Sequence, residues 1–170
     1  MRTALVLLVL LLQVPAAHAS DPLDYAGQFE LIDPEAASAR VQEVVELGAQ
    51  QFPAAIRRFA RFKLKRVLAA SAWMLFETDA ENMTVFSPET PDGWTSDLEG
   101  TENRVRDARG GRFRIKRWLE RGALASVVCR GDGCADFRFT LTGRTLTMTV
   151  TTRSDWLDQQ LQYSLQYRRK

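Results

Sequence analysis

Apolar and polar residues alternate over most of the second half of the chain. From Arg112 to Leu119, Phe113 and Ile115 stand against Arg112, Arg114 and Lys116. From Cys134 to Thr142, Phe137, Phe139 and Leu141 stand against Asp136, Arg138 and Thr140. From Thr145 to Arg153, Leu146, Met148 and Val150 stand against Thr147, Thr149 and Thr151. The last run sets Leu161, Tyr163, Leu165 and Tyr167 against Gln162, Ser164, Gln166 and Arg168. A period of two marks strands with one buried face. Trp73–Glu77, Met83–Ser87, a weaker Glu102–Asp107 and Ala123–Cys129 bring the candidates to eight strands. Gly110-Gly111, Glu120-Arg121-Gly122 and Gly143-Arg144 supply tight turns, and Pro88 to Gly93 reads as a loop. Such turns make consecutive strands antiparallel neighbours. An eight-strand meander hides its edges best by closing into a barrel. A strongly bent open sheet wrapped around helices is the competing form.

Residues 33–70 follow a helical period instead. Asp33 can cap the free N–H groups of a first helix, and Pro34 suits its first position, where a missing N–H leaves no partner unpaired. Ala37, Val41, Val44, Val45, Gly48 and Phe52 then recur at helical spacing until Pro53 interrupts. A second helix from about Ala54 to Ala70 gathers Ile56, Phe59, Ala60, Leu64, Val67 and Leu68 on one broad side. The fold class expected is α+β, an N-terminal helix pair followed by an eight-strand antiparallel meander.

The N-terminus has a separate signature. Met1-Arg2-Thr3 is a short positive start, Ala4 to Leu12 is unbroken apolar, and Ala17-His18-Ala19 is a small-x-small cleavage site. This is the pattern of a secretory signal. The apolar run is far short of the roughly 20 residues that span a bilayer as a helix. Residues 1–19 are therefore expected to be a signal peptide, residues 20–170 a single domain (helical over 33–70, strands over 72–168), and the location periplasmic or secreted. Cys129 and Cys134 flank Arg130-Gly131-Asp132-Gly133. In an oxidising compartment they should pair, with a modest loop-closure gain of about 2 kcal/mol.

Composition narrows the chemistry. The chain has 23 Lys+Arg, 21 Asp+Glu and one His. Cleavage after Ala19 removes that His18, which excludes triads, Cys-His pairs and imidazole acid/base catalysis. No catalytic residue, cofactor or metal site is expected, and an enzyme is the lesser reading. Asp92, Asp97, Glu99 and Glu102 are dense but match no calcium loop. A net charge of +2 for the full chain, near +1 once residues 1–19 are removed, argues against nucleic acid as a partner. The second helix is locally basic, with Arg57, Arg58, Arg61, Lys63, Lys65 and Arg66 uninterrupted by an acid. Such a helix is either the wet side of a packed element or a dock for an anionic membrane surface or an acidic protein partner. Arg130-Gly131-Asp132 matches an adhesion tripeptide, yet Gly and Asp are ordinary turn residues. Asn82-Met83-Thr84 matches a glycosylation sequon near a turn.

The ending resembles lipocalin-like, or calycin-like, exported bacterial proteins. The resemblance rests on Phe137-Arg138-Phe139-Thr140-Leu141, on Thr142-Gly143-Arg144-Thr145-Leu146-Thr147, and on Tyr163-Ser164-Leu165-Gln166-Tyr167-Arg168. The Gly-x-Trp signature of true lipocalins is absent, although Trp73 begins a strand. The resemblance implies a lipocalin-like barrel and a small apolar or lipid-like ligand. The side chains expected to line its interior are Trp73, Leu75, Met83, Val85, Phe113, Ile115, Phe137, Phe139, Leu146, Met148, Val150, Tyr163, Leu165 and Tyr167. The alternative function is an envelope or membrane-surface interaction module working through the basic helix at 54–70.

Overall fold

The computed structural model describes residues 21–79, 81–107 and 110–170. The signal expected at 1–19 lies outside the described residues. A 3-10 turn, Pro22–Tyr25, leads into strand β1 (Gly27–Leu31), and helices α1 (Pro34–Gln50) and α2 (Arg57–Val67) follow. The remaining strands are β2 (Trp73–Thr78), β3 (Asn82–Ser87), β4 (Thr90–Asp97), β5 (Asn103–Arg106) and β6 (Arg112–Glu120). They continue as β7 (Ala123–Arg130), β8 (Gly133–Thr142), β9 (Thr145–Ser154) and β10 (Leu161–Arg169).

Among the described residues these form one ten-stranded sheet, ordered β4-β3-β2-β1-β10-β9-β8-β7-β6-β5. Every neighbouring pair is antiparallel. β1 joins the first hairpins to the last strand, so the sheet rolls into a nearly closed barrel. The seam lies between β4 and the β5–β6 hairpin. Outside the named strands it is crossed by a bridge between Glu99 and Trp118 and by the Gly100 N–H donating to the Arg117 carbonyl at 2.8 Å.

The α+β class and the meander stand, with ten strands in place of eight. The two unforeseen strands have physical reasons for being inconspicuous. β1 is five residues long with one fully buried side chain, Phe29, and sits ahead of a helix signal. β4 contains Pro91 and Gly93 and so reads as a loop. It lies at the end of the sheet order, where a proline's missing N–H breaks no inner ladder. Gly93 adopts φ +71°, and a Cβ there would sit 2.6 Å from both Phe86 and Thr84. The adjoining β3–β4 ladder slips register between Val85 and Ser87.

Antiparallel order assigns the loops to two ends. The β6–β7 and β8–β9 turns share one end with the 3-10 turn. There the Tyr25 hydroxyl donates to the Phe139 carbonyl and accepts from the Leu124 N–H, both at 3.1 Å. One phenol thus pins the N-terminal segment to β7 and β8. The helices, the β7–β8 tip and the 155–160 loop share the opposite end. α1 starts as expected, with the Asp33 carboxylate accepting from the Ala36 N–H at 3.1 Å. Its Ala37, Val41, Val44 and Val45 join the barrel's inward residues in a single core cluster. Gly48 lets α1 approach closely, since a Cβ there would meet Leu161 at 2.6 Å and Leu64 at 2.8 Å.

The second helix departs from expectation. It is shorter than 54–70, and of its apolar residues only Ala60 is fully buried, with Leu64 half-buried against the core and Leu68 buried just past its end. Ile56, Phe59 and Val67, expected to pack, are exposed. α1 already fills the mouth of the barrel, so α2 needs only a narrow contact stripe. Cys129 and Cys134 face each other across β7 and β8 and form the expected disulfide, which pins one hairpin.

The chain's three tyrosines, Tyr25, Tyr163 and Tyr167, are all buried. Burial pushes each phenol up from its usual value, Tyr163 to about 12. A folded pKa raised above the unfolded one gives stability that is complete below pH 10.0 and lost as pH climbs through the folded value. Titration followed at 295 nm should therefore show no phenolate near pH 10.0, then a cooperative appearance coincident with loss of near-ultraviolet dichroism. A tyrosine ionising near pH 10.0 in still-folded protein contradicts the packing described.

Candidate functional site in the barrel interior

Directly paired residues on antiparallel strands point to the same face, so the ladders define the interior. Phe29 pairs with Met74, Phe76 with Val85, Val85 with Trp94, and Met83 with Ser96. On the other side, Ile115 pairs with Val128, Arg117 with Ser126, Leu124 with Phe139, and Phe137 with Val150. Met148 pairs with both Phe139 and Leu165, and Tyr167 with both Leu146 and Leu31.

Most of the expected lining is here. Ile115, Phe139, Leu146, Met148, Val150, Tyr163, Leu165, Tyr167 and Met83 are inward and buried, while Val85, Phe113 and Phe137 are inward and half-buried. Trp73 and Leu75 are not. Their pairings with Glu30 and Phe86 put them on the outer face, and Met74 and Phe76 take the inside. Trp73-Met74-Leu75-Phe76 is apolar at every position, so periodicity alone could not set the phase of β2. Phe76 packs edge-on against Phe29 and Phe139, at ring-centre distances of 5.7 and 5.4 Å.

The interior also holds polar groups, and sequence reading missed one of them, Arg117. Arg117 continues the inward series Phe113, Ile115 on β6 and is only 4% exposed. Its parity was legible, but a base within a basic strand looked like a solvent-facing residue. Its Nη1 donates across the seam to the carbonyls of Met83 at 2.8 Å and Trp94 at 2.7 Å, and to Ser96 Oγ at 3.0 Å. Among the described residues no carboxylate pairs with it, and Nε and Nη2 donate to none. Burial holds this guanidinium down to about 10, still charged at neutral pH. A second polar group inside is Tyr167, whose buried hydroxyl has no partner among the described residues, whereas Tyr163 donates to the Ala69 carbonyl at 3.3 Å. Trp94 and Phe113 reinforce the seam, with ring centres 4.7 Å apart, and the Arg130 guanidinium lies over the Phe113 ring at 5.1 Å. Arg130 of the Arg-Gly-Asp tip thus covers an aromatic ring at the seam.

The other sequence candidates fall outside this interior. Asp97 organises its own loop, accepting from the N–H groups of Glu99 and Thr101 and from Asn103 Nδ2. The Asn103 hydrogen bond holds its carboxyl below the usual range. Asp92, Glu99 and Glu102 are exposed. On α2, Arg61 pairs with Glu46 of α1 at 2.7 Å and Arg57 donates to the Phe52 carbonyl at 3.3 Å. Arg58, Lys63, Lys65 and Arg66 are exposed. Two hollows border α1 at the surface, one of about 510 Å³ against residues 158–162 and one of about 560 Å³ near Pro34 and Gln42.

Comparison with known proteins agrees with this architecture. No protein-family model matches the sequence, and no curated protein matches it. Solved structures do match in fold. Caenorhabditis elegans lipid binding protein 8 aligns with a TM-score of 0.54 at 13% identity, over 87% of this chain and 96% of that one. Echinococcus granulosus fatty-acid-binding protein 1 aligns at 0.54 and 12%, over 85% and 96%. Secretory abundant heat soluble protein 4 of Ramazzottius varieornatus aligns at 0.54 and 16%, over 91% and 99%. The fold is calycin-like, a helix pair on a nearly closed ten-strand barrel.

The seam generates a local prediction. Arg117→Met removes the donor shared by the buried Met83 carbonyl, the half-buried Trp94 carbonyl and Ser96 Oγ. Each acceptor left unpaired costs about 1–3 kcal/mol, and the loss falls on β3 and β4. Amide exchange in Asn82–Ser87 and Thr90–Asp97 should accelerate by more than about tenfold, with β8 and β9 unchanged. Uniform acceleration, or none, contradicts a seam held by Arg117.

Proposed function

We propose that this chain is an exported protein that binds a small hydrophobic, lipid-like molecule inside its barrel, and that the molecule carries an acidic head. The observation that carries the reading is the free Nε–Nη2 side of Arg117. That edge is a planar two-donor fork, matched to a carboxylate or phosphate. Arg117 is 4% exposed and charged, and this edge has no partner among the described residues, in an interior lined mainly by apolar side chains. An unpaired buried charge is unfavourable, and an acidic guest would relieve it. The phenol of Tyr167 is a second interior group awaiting a partner. The apolar remainder suits a hydrocarbon tail. Three inward side chains are methionines, Met74, Met83 and Met148, and unbranched thioethers repack readily around a guest. The fold neighbours whose names denote fatty-acid and lipid binding support the same class. Export rests on the signal pattern of residues 1–19, which fits the disulfide.

Titration of the purified protein with a long-chain fatty acid and with its methyl ester tests the head-group assignment on the unaltered chain. The acid should bind at least about tenfold more tightly, the range expected for hydrogen bonds to a charged partner. Arg117→Gln should erase that preference while retaining affinity for the ester. Equal affinity of the natural protein for acid and ester would remove Arg117 from the ligand site.

A further inference from the structure

The outward side of α2 is built unlike the rest of the surface. Phe59, Phe62, Lys63 and Arg66 follow one another at i, i+3, i+4 and i+7, which places them along a single ridge. Phe59 and Phe62 are 63% and 56% exposed, and Ile56 and Val67 flank the ridge at 49% and 68%. Lys63 lies over the Phe59 ring at 5.2 Å and Arg66 over the Phe62 ring at 5.6 Å. The helix contains no acid, and its ion pair, Arg61 to Glu46, faces α1 rather than this ridge. Lys65 sits near Glu46 on the α1 side, whereas Arg58, Lys63 and Arg66 form no ion pair among the described residues.

We propose that α2 docks this protein on an anionic phospholipid bilayer, with Phe59 and Phe62 entering the headgroup–acyl boundary and Lys63 and Arg66 meeting lipid phosphates. Charge selects this occupant. A helix whose apolar and cationic side chains share one exposed ridge fits a surface that is itself apolar below and anionic above. The docked helix lies at the end of the barrel opposite the Tyr25 plug, against α1. The proposal goes beyond ligand binding and holds whether or not the interior takes a guest.

Vesicle flotation with the purified protein provides the test, using phosphatidylcholine alone and phosphatidylcholine mixed with phosphatidylglycerol. Binding should favour the anionic vesicles by more than about tenfold and weaken as salt is raised. Lys63→Glu with Arg66→Glu should cost about tenfold or more. Phe59→Ala with Phe62→Ala should weaken binding at every salt concentration, because ring insertion is not screened. These side chains are exposed, so thermal unfolding of the variants should match the parent, and their preference for fatty acid over ester should persist. That persistence separates a failure here from a failure of the ligand reading. Equal binding to both vesicles, no binding to either, or full binding by the phenylalanine variant would overturn the proposal. So would loss of a solution dimer in that variant, which would assign the ridge to a second copy of the chain. Salt-sensitive binding to polyglutamate as tight as to anionic vesicles would likewise overturn it, in favour of an acidic polypeptide.

Discussion

A rolled sheet that does not quite close has two edges to satisfy, and here one guanidinium joins them. Arg117 leaves β6, crosses the interior side of the seam and donates to carbonyls on β3 and β4. Sheet edges expose unpaired donors and acceptors, which invite association unless they are covered. This residue covers the Trp94 carbonyl on edge strand β4 and reaches the Met83 carbonyl on β3 from inside, with the Trp94–Phe113 contact beside it. The arrangement places a permanent charge in a desolvated enclosure, as its lowered proton affinity reflects. Only Nη1 takes part in the seam, so the group that bridges the seam keeps an Nε–Nη2 edge without a partner among the described residues, the edge on which the proposed head-group assignment rests.

The extent to which sequence revealed this structure follows from how each element earns its stability. Strands such as β8, β9 and β10 bury one face and wet the other, so their alternation is written in the residues and their inward members were identified. β4 lies at the seam and is held partly by Arg117. Its Pro91 and Gly93 are tolerated there, and they disguised it. β2 is apolar on both faces because its outer face carries Trp73 and Leu75 at half-burial, so its phase came only from pairing with β1 and β3. Arg117 was missed because residue type suggested solvent while position dictated burial. The phenol of Tyr25 was missed because its partners lie 99 and 114 residues away.

The second helix teaches the converse lesson. Its apolar residues suggested a broad packing side, yet the barrel mouth is already filled by α1. What remained was a surplus of apolar and basic groups in water. The molecule thus separates two chemistries: a largely apolar interior with the buried Arg117 guanidinium, and an external ridge where Lys63 and Arg66 lie over the Phe59 and Phe62 rings. The interior accounts for how an acidic lipid would be held, and the ridge for where such a molecule would be met.

The most direct measurement of the central claim is carbon-13 NMR of a fatty acid labelled at its carboxyl carbon and bound to the protein. A nearby opposite charge lowers a carboxyl pKa by about 1–3 units. The bound resonance should therefore stay at the ionised position as pH falls past the point where the free acid titrates. A bound carboxyl that titrates like the free acid would show the head group in water, away from Arg117, and would contradict the account.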